Sequence, residues 1–128
     1  MDKAFIDKLN EKFPGQFELV PAEEGQFVKF PAQSPDFGDV LIYEEEPGAY
    51  IVVLGEFTHS HCEICDHEYG LADHASAMNE DVFWLLEEVF ADRIICWNLK
   101  DGGAYAHKEH WHRPDRYDGF VWSGKYNN

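Results

Sequence analysis

Residues 39–57 read DVLIYEEEPGAYIVVLGEF and carry the clearest secondary-structure pattern of the chain. Two runs rich in β-branched and aromatic residues, 39–44 and 49–57, flank a turn sequence at 45–48. This arrangement predicts a β-hairpin. The second arm is apolar on both faces over 50–54, which predicts a central strand covered by helices.

Helical periodicity appears on both sides of the hairpin. Residues 2–13 place apolar side chains on one helical face before Pro14-Gly15, and residues from about 74 to 91 carry a second apolar stripe. The element order α-β-β-β-β-α-β-β predicts an α+β fold, with a mostly antiparallel sheet of about five to seven strands and two helices. Since no linker or repeat interrupts the chain, residues 1–128 are predicted to form a single domain.

The composition indicates a cytoplasmic protein with a substantial core. Ten Phe, six Tyr and four Trp supply apolar rings. The N-terminal residues lack the apolar run of a signal peptide, and no stretch reaches the ~20 apolar residues of a membrane span. Three cysteines favour a reducing compartment, and Cys96 lies in an apolar strand where a buried thiol is expected.

Acidic residues are concentrated in the middle of the chain. The net charge is −15, and residues 30–92 contain fifteen Asp and Glu but no Lys or Arg. Nucleic acid and anionic membrane are therefore poor partners, because Lys and Arg drive binding to both. A basic protein or a metal cation suits this charge. The alternative is that the acidity only keeps the protein soluble.

Histidine and cysteine crowd into one window after the hairpin, and both are ligands that zinc prefers. If the strand of the second arm continues, His59 and His61 share a face and extend the row Val53, Gly55 and Phe57. Two residues separate the cysteines, a common zinc spacing. A solvated polar loop is the alternative. The predicted metal ligands are His59, His61, Cys62, Cys65 and His67.

A second histidine window, His107, His110 and His112, repeats the i, i+2 spacing, and it could meet the first window across the sheet. Lys108 lies among these histidines, so a polar segment without metal is the preferred interpretation. An open zinc site with Glu56 or Glu63 as base would suit a metal-dependent hydrolase. No oxyanion hole, phosphate loop or nucleophile elbow is recognisable, and no catalytic residue is assigned.

An exposed aromatic side chain among acids is the candidate partner-binding feature. Trp84 is predicted on the outer face of the second helix, where it could anchor an Arg-rich or Lys-rich partner through stacking and charge. The alternative is that Trp84 packs against the first helix or a loop. The predicted contact residues are Trp84, Asp81, Glu87 and Glu88, with Glu44, Glu45 and Glu46 as a secondary contact.

The stretch Gly55-Glu56-Phe57-Thr58-His59-Ser60-His61, followed by a helix that ends Phe90-Ala91-Asp92-Arg93, resembles a group of small bacterial proteins. In that group a strand ends in a Gly-x-hydrophobic-Thr-His-x-His pattern. The resemblance covers about residues 39–97. It implies a role centred on the two histidines rather than on the cysteine pair, and it implies no particular chemistry.

The sequence thus leads to a non-enzymatic, acidic domain that binds a basic protein, for example an immunity-type inhibitor of a nuclease toxin. The alternatives are a zinc-binding domain, structural or sensory, and a metal-dependent hydrolase. The oligomeric state and the role of the second histidine window are left open.

Overall fold

The hairpin at 39–57 organises a five-stranded sheet in a computed structural model of the chain. Its two arms form β3 (Val40–Glu46) and β4 (Ala49–Leu54), which pair antiparallel with Ile42 opposite Val52. The structure describes residues 3–23, 25–46, 49–62, 82–99, 102–110 and 118–126.

Three further strands complete this first sheet. They are β1 (Glu18–Ala22), β2 (Gly25–Phe30) and β5 (Thr58–Cys62), and the sheet order is β1-β2-β3-β4-β5 with every pair antiparallel. A second antiparallel sheet has the order β7-β6-β8-β9. Its strands are β6 (Ile94–Leu99), β7 (Gly102–His107), β8 (Phe120–Val121) and β9 (Gly124–Lys125).

Two α-helices appear in the described part of the chain, and both contribute to the core; a short 3-10 helix, Lys108–His110, follows β7. The first, α1 (Lys3–Lys12), buries Phe5 and Leu9, and Phe13 follows on the same face. Residues 82–90 are helical and are called α2; the predicted start of this helix near 74 lies outside the described residues. The buried side chains of α2 are Val82, Phe83, Leu85, Leu86 and Val89.

Aromatic rings connect the helices to both sheets. The Phe5 ring lies 4.1 Å from Tyr50 and 5.5 Å from Phe83, between centroids, so α1 joins β4 to α2. At the other end of α2, Phe90 contacts Phe30 of the first sheet and Trp122 beside the second. Because such rings bury large apolar areas, they account for much of the core that the composition predicted.

The second arm of the hairpin ends earlier than the sequence predicted. Gly55, with φ of +56°, begins a tight turn, and the chain returns as β5 rather than extending β4. The expected row from Val53 through Phe57 to His61 is therefore wrong, and His59 instead lies opposite Val53 in the β4–β5 pair. A left-handed backbone is accessible to glycine at little cost, so Gly55 permits this reversal.

The two sheets meet where β7 passes the turn before β5. A Cβ added at Gly103 would lie only 1.8 Å from the backbone oxygen of Phe57, so the two backbones are in direct contact. Nearby, the Tyr105 hydroxyl donates a hydrogen bond to the Ser60 hydroxyl oxygen at 3.0 Å. The absence of a side chain at position 103 therefore sets how closely the sheets approach.

The predicted α+β class and element order are confirmed, and the strands divide into two antiparallel sheets. β4 is an interior strand as predicted, although Ile51 and Val53 on its second face are only half-buried. Cys96 is fully buried in β6, and burial raises the pKa of its thiol to about 12. No helix among the described residues is long and apolar enough to cross a membrane.

Candidate functional site

Trp84 projects from the solvent-facing side of α2. Its side chain is 54% exposed, more than any other large hydrophobic side chain in the described ranges. Its neighbours in the helix, Phe83 and Leu85, point into the core. The prediction that Trp84 lies on the outer face of this helix is therefore confirmed.

His107 packs beside Trp84 with its ring nearly parallel to the indole. The ring centroids are 6.4 Å apart and the interplanar angle is 21°. His107 is the last residue of β7 and lies opposite Ile94, the first residue of β6. This register, rather than proximity in sequence, brings the imidazole to the C-terminal end of α2.

The end of α2 folds back on itself and places Arg93 against Glu88. Asp92 adopts a left-handed conformation with φ of +60°, and the Arg93 amide then donates to the Glu88 carbonyl oxygen at 2.9 Å. The Asp92 amide donates to the Val89 carbonyl oxygen at 3.1 Å. This pair of bonds is the Schellman arrangement, which satisfies carbonyl groups at a helix C-terminus.

The side chains of these residues form a second connection. Nε and Nη2 of Arg93 donate to the two carboxylate oxygens of Glu88, at 2.5 Å and 3.2 Å, in the bidentate geometry that an arginine fork favours. The hydrogen bonds from Arg93 and then from His107 hold the pKa of Glu88 below its usual value. The same bond to Glu88 raises the pKa of Arg93.

Both ring nitrogens of His107 have hydrogen-bond partners. Nδ1 accepts from the Glu109 backbone amide at 3.3 Å, and Nε2 lies 3.0 Å from a carboxylate oxygen of Glu88. Since Nδ1 is an acceptor, the proton belongs on Nε2, which donates to Glu88. These bonds therefore assign the neutral imidazole, held in one orientation.

Around these groups lies an open cleft of about 420 Å³. It is called the Trp84 cleft, and its lining residues are Trp84, Glu88, Arg93, His107 and Glu109. The charges of Glu88 and Arg93 offset each other, and the hydrogen bonds assign His107 as neutral. Glu109 therefore leaves the cleft with a net negative charge.

The other predicted contact residues differ in their surroundings. Glu87 is 52% exposed and lies 3.4 Å from Lys12 of α1, a surface ion pair of small expected strength. Glu88 is only 14% exposed, because it lies beneath Arg93 and His107. Glu44 and Glu45 lie at the end of the hairpin, Glu46 is the last residue of β3, and Asp81 lies outside the described residues.

The predicted metal ligands are described only in part. His59 is exposed on β5, and the backbone of β5 continues through His61 and Cys62. Cys65 and His67 lie outside the described residues. Within the ranges described, no three His, Cys, Asp or Glu side chains gather as a metal site would require, and the zinc site stays a prediction.

Sequence reasoning missed Arg93, His107 and Glu109 as parts of one cleft. His107 was interpreted as a solvated polar residue, yet its side chain is 18% exposed and hydrogen-bonded. Only the register of β6 and β7 brings it to Trp84. The five-residue separation of Glu88 and Arg93 across a helix end was the available signal for their pairing.

No protein-family model, no curated protein and no solved structure matches the chain. The resemblance at residues 55–61 therefore stays a prediction.

Proposed function

We propose that this protein is a non-enzymatic binding domain for a basic protein, with Trp84 as the anchor of the contact. The observation that carries the proposal is the exposed indole, 54% accessible beside a cleft of net negative charge. Tryptophan is among the residues most often responsible for affinity at protein interfaces. An exposed tryptophan on a helix whose other large apolar side chains are buried in the core or packed against it is therefore better explained by a partner than by folding.

The overall charge supports a partner of opposite sign. A net charge of −15 attracts a basic protein and accelerates encounter, and like charge repels acidic competitors. Nucleases are one class of basic protein, because they bind phosphate through Lys and Arg. An immunity-type inhibitor of a nuclease toxin is thus the finer form of this proposal.

The test is binding to a panel of small basic proteins that includes ribonucleases, measured by calorimetry at 50 mM and 500 mM NaCl. We expect a complex that weakens steeply with salt, since screening shortens the range of surface charges. Replacement Trp84→Ala should weaken it by about thirtyfold, the effect of losing a hot-spot side chain of ~2 kcal/mol.

Leu99→Ala is the matched control, because Leu99 is 43% exposed at the end of β6 far from His107. It should leave the affinity within about twofold of the native protein, as a surface change outside the interface usually does. A complex equally sensitive to both substitutions, or no salt-sensitive complex with any member of the panel, would refute the proposal.

A zinc-binding domain is the second candidate, favoured by the position of His59 on a strand that continues to Cys62. Elemental analysis of tag-free protein purified without chelator tests it. About one zinc per chain, lost in the His59→Ala and Cys62→Ala variants, would support the site. A metal content near zero after zinc is offered and the excess removed would exclude it, and with it the metal-dependent hydrolase.

A further inference from the structure

We propose that the Trp84 cleft receives one arginine side chain of the basic partner and discriminates against lysine. This inference rests on the proposed function, and it names the group that is recognised. The cleft of about 420 Å³ lies within the size range of small-ligand sites, and its mouth is open to solvent. It can therefore admit a long side chain from a protein surface.

The walls of the cleft are positioned before any ligand arrives. Arg93 holds both carboxylate oxygens of Glu88, and His107 is bonded through both ring nitrogens. The imidazole in turn lies beside the indole of Trp84 at an angle of 21°. Because these side chains are already ordered, binding loses little conformational entropy.

The charge balance of the cleft selects a cation. Glu88 and Arg93 form an ion pair, the hydrogen bonds of His107 assign it as neutral, and Glu109 contributes the remaining charge. The face of the indole is also electron-rich and attracts cations. An incoming carboxylate or phosphate would instead be repelled by the carboxylate of Glu109, the one acid of the cleft whose charge Arg93 does not offset.

The chemistry of an open aromatic cleft favours guanidinium over ammonium. A guanidinium is planar and weakly hydrated, so it can stack on the exposed indole while its edge donates to a carboxylate. An ammonium is compact and strongly hydrated, and a cleft open to water does little to remove that hydration. Trp84 supplies the stacking surface and Glu109 the acceptor in this arrangement.

Capped tripeptides with a central arginine, lysine or glutamate between glycines test the inference directly. Their binding is followed by NMR through the indole N–H signal of Trp84, identified by its loss in Trp84→Phe. We expect the arginine peptide to bind about three- to fivefold more tightly than the lysine peptide, which corresponds to the strength of an exposed cation–π contact. The glutamate peptide should leave the signal unmoved.

Two substitutions separate the proposed contacts from general electrostatics. Glu109→Gln should lower the affinity for the arginine peptide about two- to threefold, as expected for the loss of one exposed ion pair. Glu18→Gln removes the same charge from β1, where Glu18 is 57% exposed and pairs with Lys29, and it should leave the affinity unchanged. Equal loss in both variants would reduce the contact to nonspecific attraction and overturn the inference.

Different results would refute the arginine preference and the proposed function. Equal affinity for the arginine and lysine peptides, or tighter binding of the glutamate peptide, overturns the arginine preference. If the complex with a basic protein is nevertheless weakened by Trp84→Ala, the proposed function stands without the arginine preference. Binding of the arginine peptide without any complex with a basic protein would support the arginine preference of the cleft and refute the proposed function.

Discussion

Asp92 shows how the backbone of one residue assembles the Trp84 cleft. Its left-handed conformation ends α2 and turns the chain so that Arg93 reaches back to Glu88. Glycine is the usual residue at this position of a helix end, and an aspartate there has a backbone cost of about 1 kcal/mol. Its carboxylate compensates by accepting hydrogen bonds from the amide and the hydroxyl of Ser123, at 3.1 Å and 2.5 Å.

Substitutions at Asp92 separate the backbone cost from the side-chain bonds. Asp92→Ala keeps the unfavourable conformation and loses both bonds to Ser123, so we expect a destabilisation of about 2 kcal/mol. Asp92→Gly loses the same bonds but removes the backbone strain. It should therefore reduce the free energy of unfolding by about 1 kcal/mol less than Asp92→Ala does. Urea unfolding of both variants measures the order, and a glycine variant no more stable than the alanine variant would contradict this account.

Glu88 should make stability depend on acid pH. Its folded-state pKa lies below its usual value because Arg93 and His107 bond the carboxylate. A lowered pKa stabilises the folded state above the ordinary glutamate range, and this contribution is lost as the pH falls through the folded-state pKa. The native protein should therefore lose stability between about pH 5 and pH 3 more steeply than Glu88→Gln does.

Urea midpoints measured from pH 7 to pH 3 test this expectation. Glu87→Gln serves as the control, because Glu87 is 52% exposed and its ion pair with Lys12 is long. The control should keep the native pH profile. Parallel profiles for the native protein and Glu88→Gln would show that the carboxylate is not preferentially ionised in the folded state.

At the scale of elements, the turn between β4 and β5 decides the edge of the first sheet. The apolar run over 50–54 predicted a long strand, but its continuation depended on Gly55. That residue lies so close to the loop before β3 that an added Cβ would be 1.8 Å from the Phe37 backbone oxygen. The Gly55 amide also donates to the Asp39 carbonyl oxygen at 2.9 Å, which fixes the turn.

Gly55→Ala should be severely destabilising for two reasons. The left-handed backbone costs about 1–2 kcal/mol for alanine, and the contact with Phe37 forces the backbone to move. Gly15→Ala isolates the first term, because Gly15 has φ of +71° and open space around its Cα. We expect Gly55→Ala to cost at least about 2 kcal/mol more than Gly15→Ala in urea unfolding, in the range of strained core changes. Equal losses would rule out the steric contact.

At the scale of the whole molecule, the net charge of −15 works against compactness. Like charges repel more strongly in the folded state because they are closer together. The ion pairs described here are few and mostly exposed, so they offset little of this repulsion. Added salt should therefore stabilise the fold.

The urea midpoint should rise as NaCl increases from 10 mM to 200 mM, while the screening length falls from about 30 Å to below 10 Å. Most of the increase should occur by about 100 mM, since screening then already acts over the distances between neighbouring surface charges. An unchanged or falling midpoint would mean that attractive pairs, not net repulsion, dominate the surface.

The amino-acid sequence was enough to predict the fold class, the element order and the outward position of Trp84. These properties follow from local periodicity, because alternation in strands and the 3.6-residue repeat in helices are written in neighbouring residues. Local patterns also predicted the hairpin at 39–57 and the burial of Cys96.

The division of the strands into two sheets and the set of residues that line the Trp84 cleft depend on tertiary contacts. Glu88 and His107 are nineteen residues apart and meet through the register of β6 and β7. Glu88 appeared as one more exposed acid until Arg93 and His107 came to lie over it. Such contacts join residues distant in sequence, so no local pattern encodes them, and they depend on how the packed elements align.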